Sequence, residues 1–330
     1  MKLKIRNFIM YLLIILFLIN ILKNIFIHKT VETISNNEEV SEYKEFDYGD
    51  YKIIKLLHTS DNKIEEMPLD IYLYGVVASE MPASFNIEAL KAQAVVARTY
   101  TIYKIMMGSK HQDINADICD SSLCCQAWIS KENRLAKWEE NKQSKYWRKI
   151  EEAVNSTIGK VILYENKPIN AFFHSNSGGK TEGSENVWGK RYEYLQTVET
   201  SGEDAYTSYN SEIKISKDEL IKRMLENYSE FKIDFEKEDA IKILEFTQGD
   251  RIEKIKIGNV EISGVEARKI FGLKSAKFNF NILDNFIEFK VIGYGHGVGL
   301  SQCGSDLLAK SGKKFDEIIK YYYKDVAISE

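Results

Sequence analysis

Residues 72–100 read YLYGVVASEMPASFNIEALKAQAVVARTY, and the architecture of the chain is worked out from this stretch. Leu69, Tyr72, Leu73, Val76 and Val77 recur at helical spacing, and Pro68 suits the first turn of that helix. Pro82 stops it, because the residue before a proline is pushed out of the helical region. Glu80 therefore stands at the helix C-terminus. Asn86 is an N-cap for a second helix, with Glu88 in its first turn. Ala89, Ala92, Ala94 and Ala97 keep this helix slim, so neighbours can pack closely. Glu88, Lys91, Val95 and Arg98 fall along one face, and Gly108 ends the helix. The negative end of a helix dipole disfavours ionisation of a nearby carboxyl, and Met81 and Phe85 add apolar surroundings. Such a carboxyl suits general-acid chemistry. A solvated Glu at a helix end is the plainer reading of the same residues.

Towards the N-terminus, Lys2, Lys4 and Arg6 precede a mostly apolar run from Phe8 to Leu22, with Ile25 to Ile27 beyond Lys23 and Asn24. Phe8 to Ile27 reaches the roughly 20 residues needed to span a bilayer. No small-residue cleavage site follows. Residues 8–27 are thus expected to be a single-pass membrane anchor, with residues 1–7 cytoplasmic and the remainder extracytoplasmic. A poorly cleaved signal peptide gives the same destination without the anchor. Residues 28–48 are polar and aperiodic and read as a tether.

Beyond the tether, residues 50–59 alternate as a first strand. Residues 109–130 form an irregular Cys-rich loop, and residues 131–157 are helical and charged. Residues 161–164 and 169–173 read as strands about a turn at 166–168, with Ser177, Gly178 and Gly179 breaking the second. From about 205 to 285 the character shifts to a helix and short alternating strands, which reads as an inserted or second subdomain. Gly293, Gly295, Gly297 and Gly299 recur at every second residue, so a strand there carries all four on one face and needs something large against it. Two amphipathic helices follow, at 306–309 and 315–323. The expected fold class is α+β: a helical catalytic core with mixed and antiparallel strands over 49–327, a smaller inserted subdomain, a groove between them, and an N-terminal transmembrane helix. A net charge of −4 gives no footprint for nucleic acid, and none is expected as a partner.

The motifs, taken in order, resemble the SpoIID family. Residues 72–100 carry its Glu-Met-Pro run and the Glu-Ala-Leu-Lys-Ala-Gln-Ala-Val-x-Ala-Arg-Thr-Tyr run almost without departure. Residues 175–182 (SNSGGKTE), 187–189 (VWG), 295–302 (GHGVGLSQ) and 321–323 (YYY) continue it, so the resemblance covers roughly residues 50–327. It implies a membrane-anchored peptidoglycan lytic transglycosylase that cleaves MurNAc–GlcNAc bonds, preferably in peptide-stripped strands, and leaves 1,6-anhydro-MurNAc ends. It places that activity in septal-wall thinning and engulfment during sporulation, at the membrane around the forespore. It maps the catalytic residue onto Glu80, acting as acid and then as base, with no cofactor required for catalysis. It implies glycan strands, a SpoIIP-like amidase and a multi-pass membrane scaffold as partners. Relatives of the fold are also described as amidase enhancers, so the alternative is a non-catalytic glycan-binding enhancer of a cell-wall amidase.

The remaining candidates each carry two readings. Lys91 and Arg98 line the glycan groove or form ion pairs that order the helix. Ser175 and Ser177 present hydroxyls to sugar or serve the Gly-Gly turn. His296, with Ser301 and Gln302 near it, binds substrate or is structural. Tyr294 and Trp188 read as core aromatics ahead of sugar platforms. His111, Cys119, Cys124 and Cys125 lie within fifteen residues, and one His with three thiolates suits a structural zinc. Some family members carry such ligands, but a His often precedes the Cys where Cys124 precedes Cys125 here. A Cys119–Cys125 disulfide and free thiols stay open. Cys303 reads as a buried apolar residue.

Overall fold

The computed structural model describes residues 46–329, which fall within one compact unit. The expected anchor at 8–27 lies outside the described residues. Within them, no helix is long and apolar enough to cross a membrane. The architecture is α+β, with several small sheets around a helical centre.

Strand β1 (Ile53–His58) pairs antiparallel with β2 (Lys63–Pro68), from Ile53↔Pro68 to His58↔Lys63. Helix α1 (Leu69–Glu80) follows without a loop, so Pro68 ends a strand and caps the helix where a first-turn position was expected. Met81 is extended (φ −120°, ψ 137°), as the following Pro82 demands, and this fixes Glu80 as the last helical residue. The side chain of Asn86 accepts the Glu88 N–H at 3.0 Å and opens α2 (Ile87–Met106). This helix is buried on nearly every side, because its small alanines let α1 and three later helices close against it. Those three are α4 (Glu140–Asn155), α8 (Gln302–Lys310) and α9 (Phe315–Tyr322); between α2 and α4 lie β3 (Ile118–Cys119), parallel to β1, and the short α3 (Lys131–Leu135).

After α4 come β4 (Ile162–Tyr164) and β5 (Lys167–Pro168), joined through Glu165 and Asn166, both at positive φ. The turn therefore lies one residue earlier than expected. Strand β6 (Phe173–His174) and the short α5 (Glu185–Trp188) complete this half. A second apolar core, built on residues such as Leu220, Met224, Ile255, Phe271 and Phe289, then forms. Its strands run from 210 to 292 rather than 205 to 285. They are β7 (Asn210–Ser216), β8 (Ile241–Phe246), β9 (Ile252–Ile257), β10 (Val260–Ser263), β11 (Phe278–Ile282) and β12 (Phe286–Ile292), with helices α6 (Lys217–Asn227) and α7 (Gly264–Phe271). They form two three-stranded sheets, β10-β9-β8 and β11-β12-β7. Arg251, 2% exposed, fastens this part to the first by donating to Ser177 O (2.8 Å) and Lys180 O (3.1 Å).

The glycine stretch is not a regular strand. Gly293, Gly295, Gly297 and Gly299 all have positive φ, from 72° to 120°, and only single bridges, Asn176↔Tyr294 and Glu182↔Val298, tie the segment down. The large neighbour predicted for it is backbone and guanidinium. A Cβ on Gly299 would lie 2.1 Å from Phe172 O, and one on Gly297 2.2 Å from Arg251 Nη2. The segment then enters β13 (Leu300–Ser301), parallel to β6, and the chain closes with β14 (Ala327–Ile328) on β4.

Candidate active site

Glu80 opens onto a groove of about 830 Å³. The groove does not lie between the two cores, as the sequence suggested. Its walls come from α1, α2, the Cys loop, residues 172–175 and 188–192, and the glycine segment; the 210–292 strands contribute none. Among the described residues, Glu80 is the only carboxyl side chain lining it. Burial pushes that carboxyl up to about 7, partly offset by the Ala127 N–H that donates to Oε1 at 2.6 Å. The donor is held in place by its neighbour. Gln126 is buried and donates to Thr101 Oγ1 (2.8 Å), Tyr72 OH (3.2 Å) and Ala97 O (3.3 Å). Trp128 packs so closely on α1 that a Cβ on Gly75 would lie 2.2 Å from Nε1.

Aromatic side chains line the same groove as Glu80. Phe172 and Trp188 stack with centroids 4.2 Å apart, and His296 sits 5.1 Å from Trp188. Trp188 and Tyr294 are each 43% exposed, so both are groove residues and not the core aromatics expected. His174, which the sequence reading missed, is buried beside His296, with ring centroids 5.7 Å apart. Its Nδ1 lies 3.1 Å from Val298 O, which assigns the proton to Nδ1 and leaves buried Nε2 without a protein partner. His296 Nδ1 accepts the Val298 N–H at 3.1 Å. Burial, with the Arg268 and Arg251 guanidiniums nearby, pushes His296 down to about 3. Burial lowers His174 well below the usual range too, so both rings are neutral at physiological pH.

Ser175, His296 and Gln302 line the groove with Glu80. The other candidates go elsewhere. Lys91 pairs with Glu88 at 2.9 Å, and Glu88 also accepts the Phe315 N–H at 3.0 Å, which ties α2 to α9. Arg98 is fully buried and pairs with Asp70 at 2.8 Å; it also donates to Lys160 O and Val154 O. Ser177 is buried against Thr200, and its N–H donates to Glu203. Ser301 is the N-cap of α8, accepting from Gly304 N–H. The cations that do line the groove are Lys104, Lys110 and Lys190. The signal was present: Tyr100 and Lys104 are i, i+4 on α2, a different face from Lys91 and Arg98.

His111, Cys119, Cys124 and Cys125 bring their ligand atoms within 4.8 Å of one another. All four cysteines are free thiols. His111 Nε2 is 3.5 Å from Cys124 Sγ and 4.0 Å from Cys125 Sγ, and the two sulfurs are 3.6 Å apart. A tetrahedral zinc with ordinary bond lengths separates its N and S ligands by about 3.6 Å and two S ligands by about 3.8 Å. The donor set and spacing therefore fit that ion, with Cys124 and Cys125 both in reach. Cys303 is buried, as expected.

Fold and groove together define an α+β protein with a cleft that, among the described residues, is lined by one carboxyl. A family model described as "SpoIID: Stage II sporulation protein" matches residues 58–164. The chain is 34% identical over 278 residues to "Stage II sporulation protein D" of Bacillus subtilis (strain 168), covering 84% of this chain and 79% of that one. It is 33% identical over 278 residues to the protein of the same name from Bacillus amyloliquefaciens, covering 84% and 78%. It is 28% identical over 305 residues to the "Amidase enhancer" of Bacillus subtilis (strain 168), covering 78% of this chain and 40% of that one. The chain belongs to the SpoIID family of stage II sporulation proteins.

Proposed function

We propose that this protein is a membrane-anchored lytic transglycosylase that cleaves MurNAc–GlcNAc bonds in peptide-stripped peptidoglycan during sporulation engulfment. The observation that carries the reading is Glu80, the one carboxyl side chain among the described residues that lines the groove, held up to about 7 by burial. Glycoside hydrolysis commonly uses two carboxyl groups, one for the leaving group and one for water or as nucleophile. A single acid suffices when the sugar supplies its own nucleophile. Neutral Glu80 gives its proton to the glycosidic oxygen as the C1–O bond breaks. The carboxylate then takes the proton of the MurNAc C6 hydroxyl as O6 bonds to C1. The products are a new GlcNAc hydroxyl and a 1,6-anhydro ring, and Glu80 ends protonated as it began. The Trp188–Phe172 stack offers a face for a sugar ring, and Ser175 and Gln302 offer polar contacts beside it.

His111, Cys119, Cys124 and Cys125 would hold a structural zinc. Four protein ligands leave no open position, so the ion would staple the loop that carries Ala127 and take no part in the chemistry. Residues 8–27 would anchor the chain, with the groove facing wall polymer. A SpoIIP-like amidase and a multi-pass scaffold would be its membrane partners. The second reading, a non-catalytic glycan-binding enhancer of an amidase, is favoured by the likeness to the amidase enhancer. The two are separated by incubating detergent-solubilised full chain with stripped strands. New anhydro ends support the enzyme; binding without new ends, even with a competent amidase present, supports the enhancer.

A further inference from the structure

The groove carries a charge pattern that the reaction above does not use. Lys104, Lys110 and Lys190 line it, and none forms an ion pair with a carboxylate among the described residues. Lys104 Nζ lies 5.1 Å from the centre of the Tyr100 ring, and Lys190 Nζ lies 4.8 Å from that of Tyr192. Some other surface lysines do find acids, among them Lys142 with Glu139, Lys313 with Glu317 and Lys256 with Asp239. The chain as a whole is net −4, so three unpaired ammoniums in one groove run against its overall charge. Among the described residues, Glu80 is the only carboxyl that lines the groove. If zinc fills the adjacent Cys site, three thiolates and a divalent ion leave one net negative charge, which the ammoniums outnumber. The lysines come from three separate segments, the end of α2, the start of the Cys loop and the turn after α5. A groove of this kind, aromatic on one side and cationic along its rim, fits a sugar polymer with a carboxylate on it.

Resting on the reading that the groove takes glycan, we propose that Lys104, Lys110 and Lys190 read the free lactyl carboxylates of MurNAc. They would then be the residues that set specificity for stripped strands. Removal of a stem peptide at its lactyl amide converts a neutral amide into a carboxylate, so stripping creates the charge that these lysines lack. A strand that keeps its peptides presents no charge at that carbon.

The test is binding, with Glu80→Gln full-length protein so that strands survive. Stripped strands are compared with the same strands whose lactyl carboxylates have been converted to methylamides, which keep the shape and remove the charge. Stripped strands should bind about tenfold more tightly, with the difference shrinking as salt screens it. Each of Lys104→Gln, Lys110→Gln and Lys190→Gln should weaken binding of stripped strands by up to about fivefold. The triple variant should abolish the preference, and arginine at the same positions should restore it. Equal affinity for charged and methylamide strands overturns the proposal without any lysine variant. A triple Gln variant that keeps the preference overturns it too. A carboxylate-dependent preference, together with a wild-type protein that makes no new chain ends, upholds this proposal and sinks the reaction instead.

Discussion

Replacing Arg98 with methionine removes a guanidinium that is fully buried while keeping most of its apolar stem. Asp70 loses its partner at 2.8 Å and keeps only the Tyr48 hydroxyl at 2.9 Å, and the carbonyls of Lys160 and Val154 each lose a donor. Breaking a buried ion pair from one side costs about 3–5 kcal/mol. The Asp70 side chain is 23% exposed, so water recovers part of that loss, and the lower end, about 3 kcal/mol, is expected. For a domain of this size each kcal/mol moves the melting temperature by about 2–4 °C, so Arg98→Met should melt about 6–12 °C lower. Asp70→Leu in the same chain should recover part of the loss, with a coupling of about 1 kcal/mol or more in the double-mutant cycle. The assay is thermal unfolding by circular dichroism, paired with binding to stripped glycan at a temperature where both proteins are folded. An unchanged melting temperature with lost glycan binding would refute the reasoning and return Arg98 to the groove.

Under the proposed reaction Glu80 must be protonated to act, so turnover should fall as pH rises through about 7, and this limb should be missing from the residual activity of Glu80→Gln. The same group ties stability to pH. Its folded value lies above the ordinary 4.5, so its contribution is full below about 4.5 and is lost as pH rises through about 7, which urea titrations across that window should register. Gly299→Ala forces a Cβ to 2.1 Å from Phe172 O at φ +72° and should cost at least about 2 kcal/mol, with a loosened aromatic signature in near-ultraviolet circular dichroism. Purified protein should carry one zinc per chain by elemental analysis, and chelation or Cys125→Ser should lower its melting temperature; metal-free protein with an unchanged melt would remove the ion from the account.

The local features of the site were legible because short-range chemistry fixes them. Pro82 dictates where α1 stops, and Asn86 dictates where α2 starts, so Glu80 could be placed before any tertiary contact was known. The four metal-ligand candidates were likewise close in sequence and needed only a compact loop. The Tyr100–Lys104 spacing marked a second face of α2, but nothing chose it over the Lys91–Arg98 face, because a helix buried on nearly every side shows no single polar stripe to orient it. Of the two readings open for Arg98, groove residue or ordering ion pair, it is the ion pair, a clamp on Asp70; Lys104, six residues on, is in the groove. The glycine segment was misread because alternating glycines suit a strand as well as a run of left-handed turns, and only Phe172, His174 and Arg251, distant in sequence, decide between them. His174 likewise acquires its role from Val298 and His296, over a hundred positions away, and Trp188 from both nearby Phe172 and distant His296. The groove was expected between two subdomains, but the second core closes on itself and leaves the first to build the cleft alone.

The central claim is that Glu80 is the sole acid and base. It is tested most directly by incubating wild-type and Glu80→Gln full-length proteins with peptide-stripped strands and analysing the new chain ends. The account predicts 1,6-anhydro-MurNAc ends, resistant to borohydride reduction, from the wild type, and their loss from Glu80→Gln at undiminished strand binding. Reducing ends from the wild type, or anhydro ends formed at the same rate by Glu80→Gln, would contradict it.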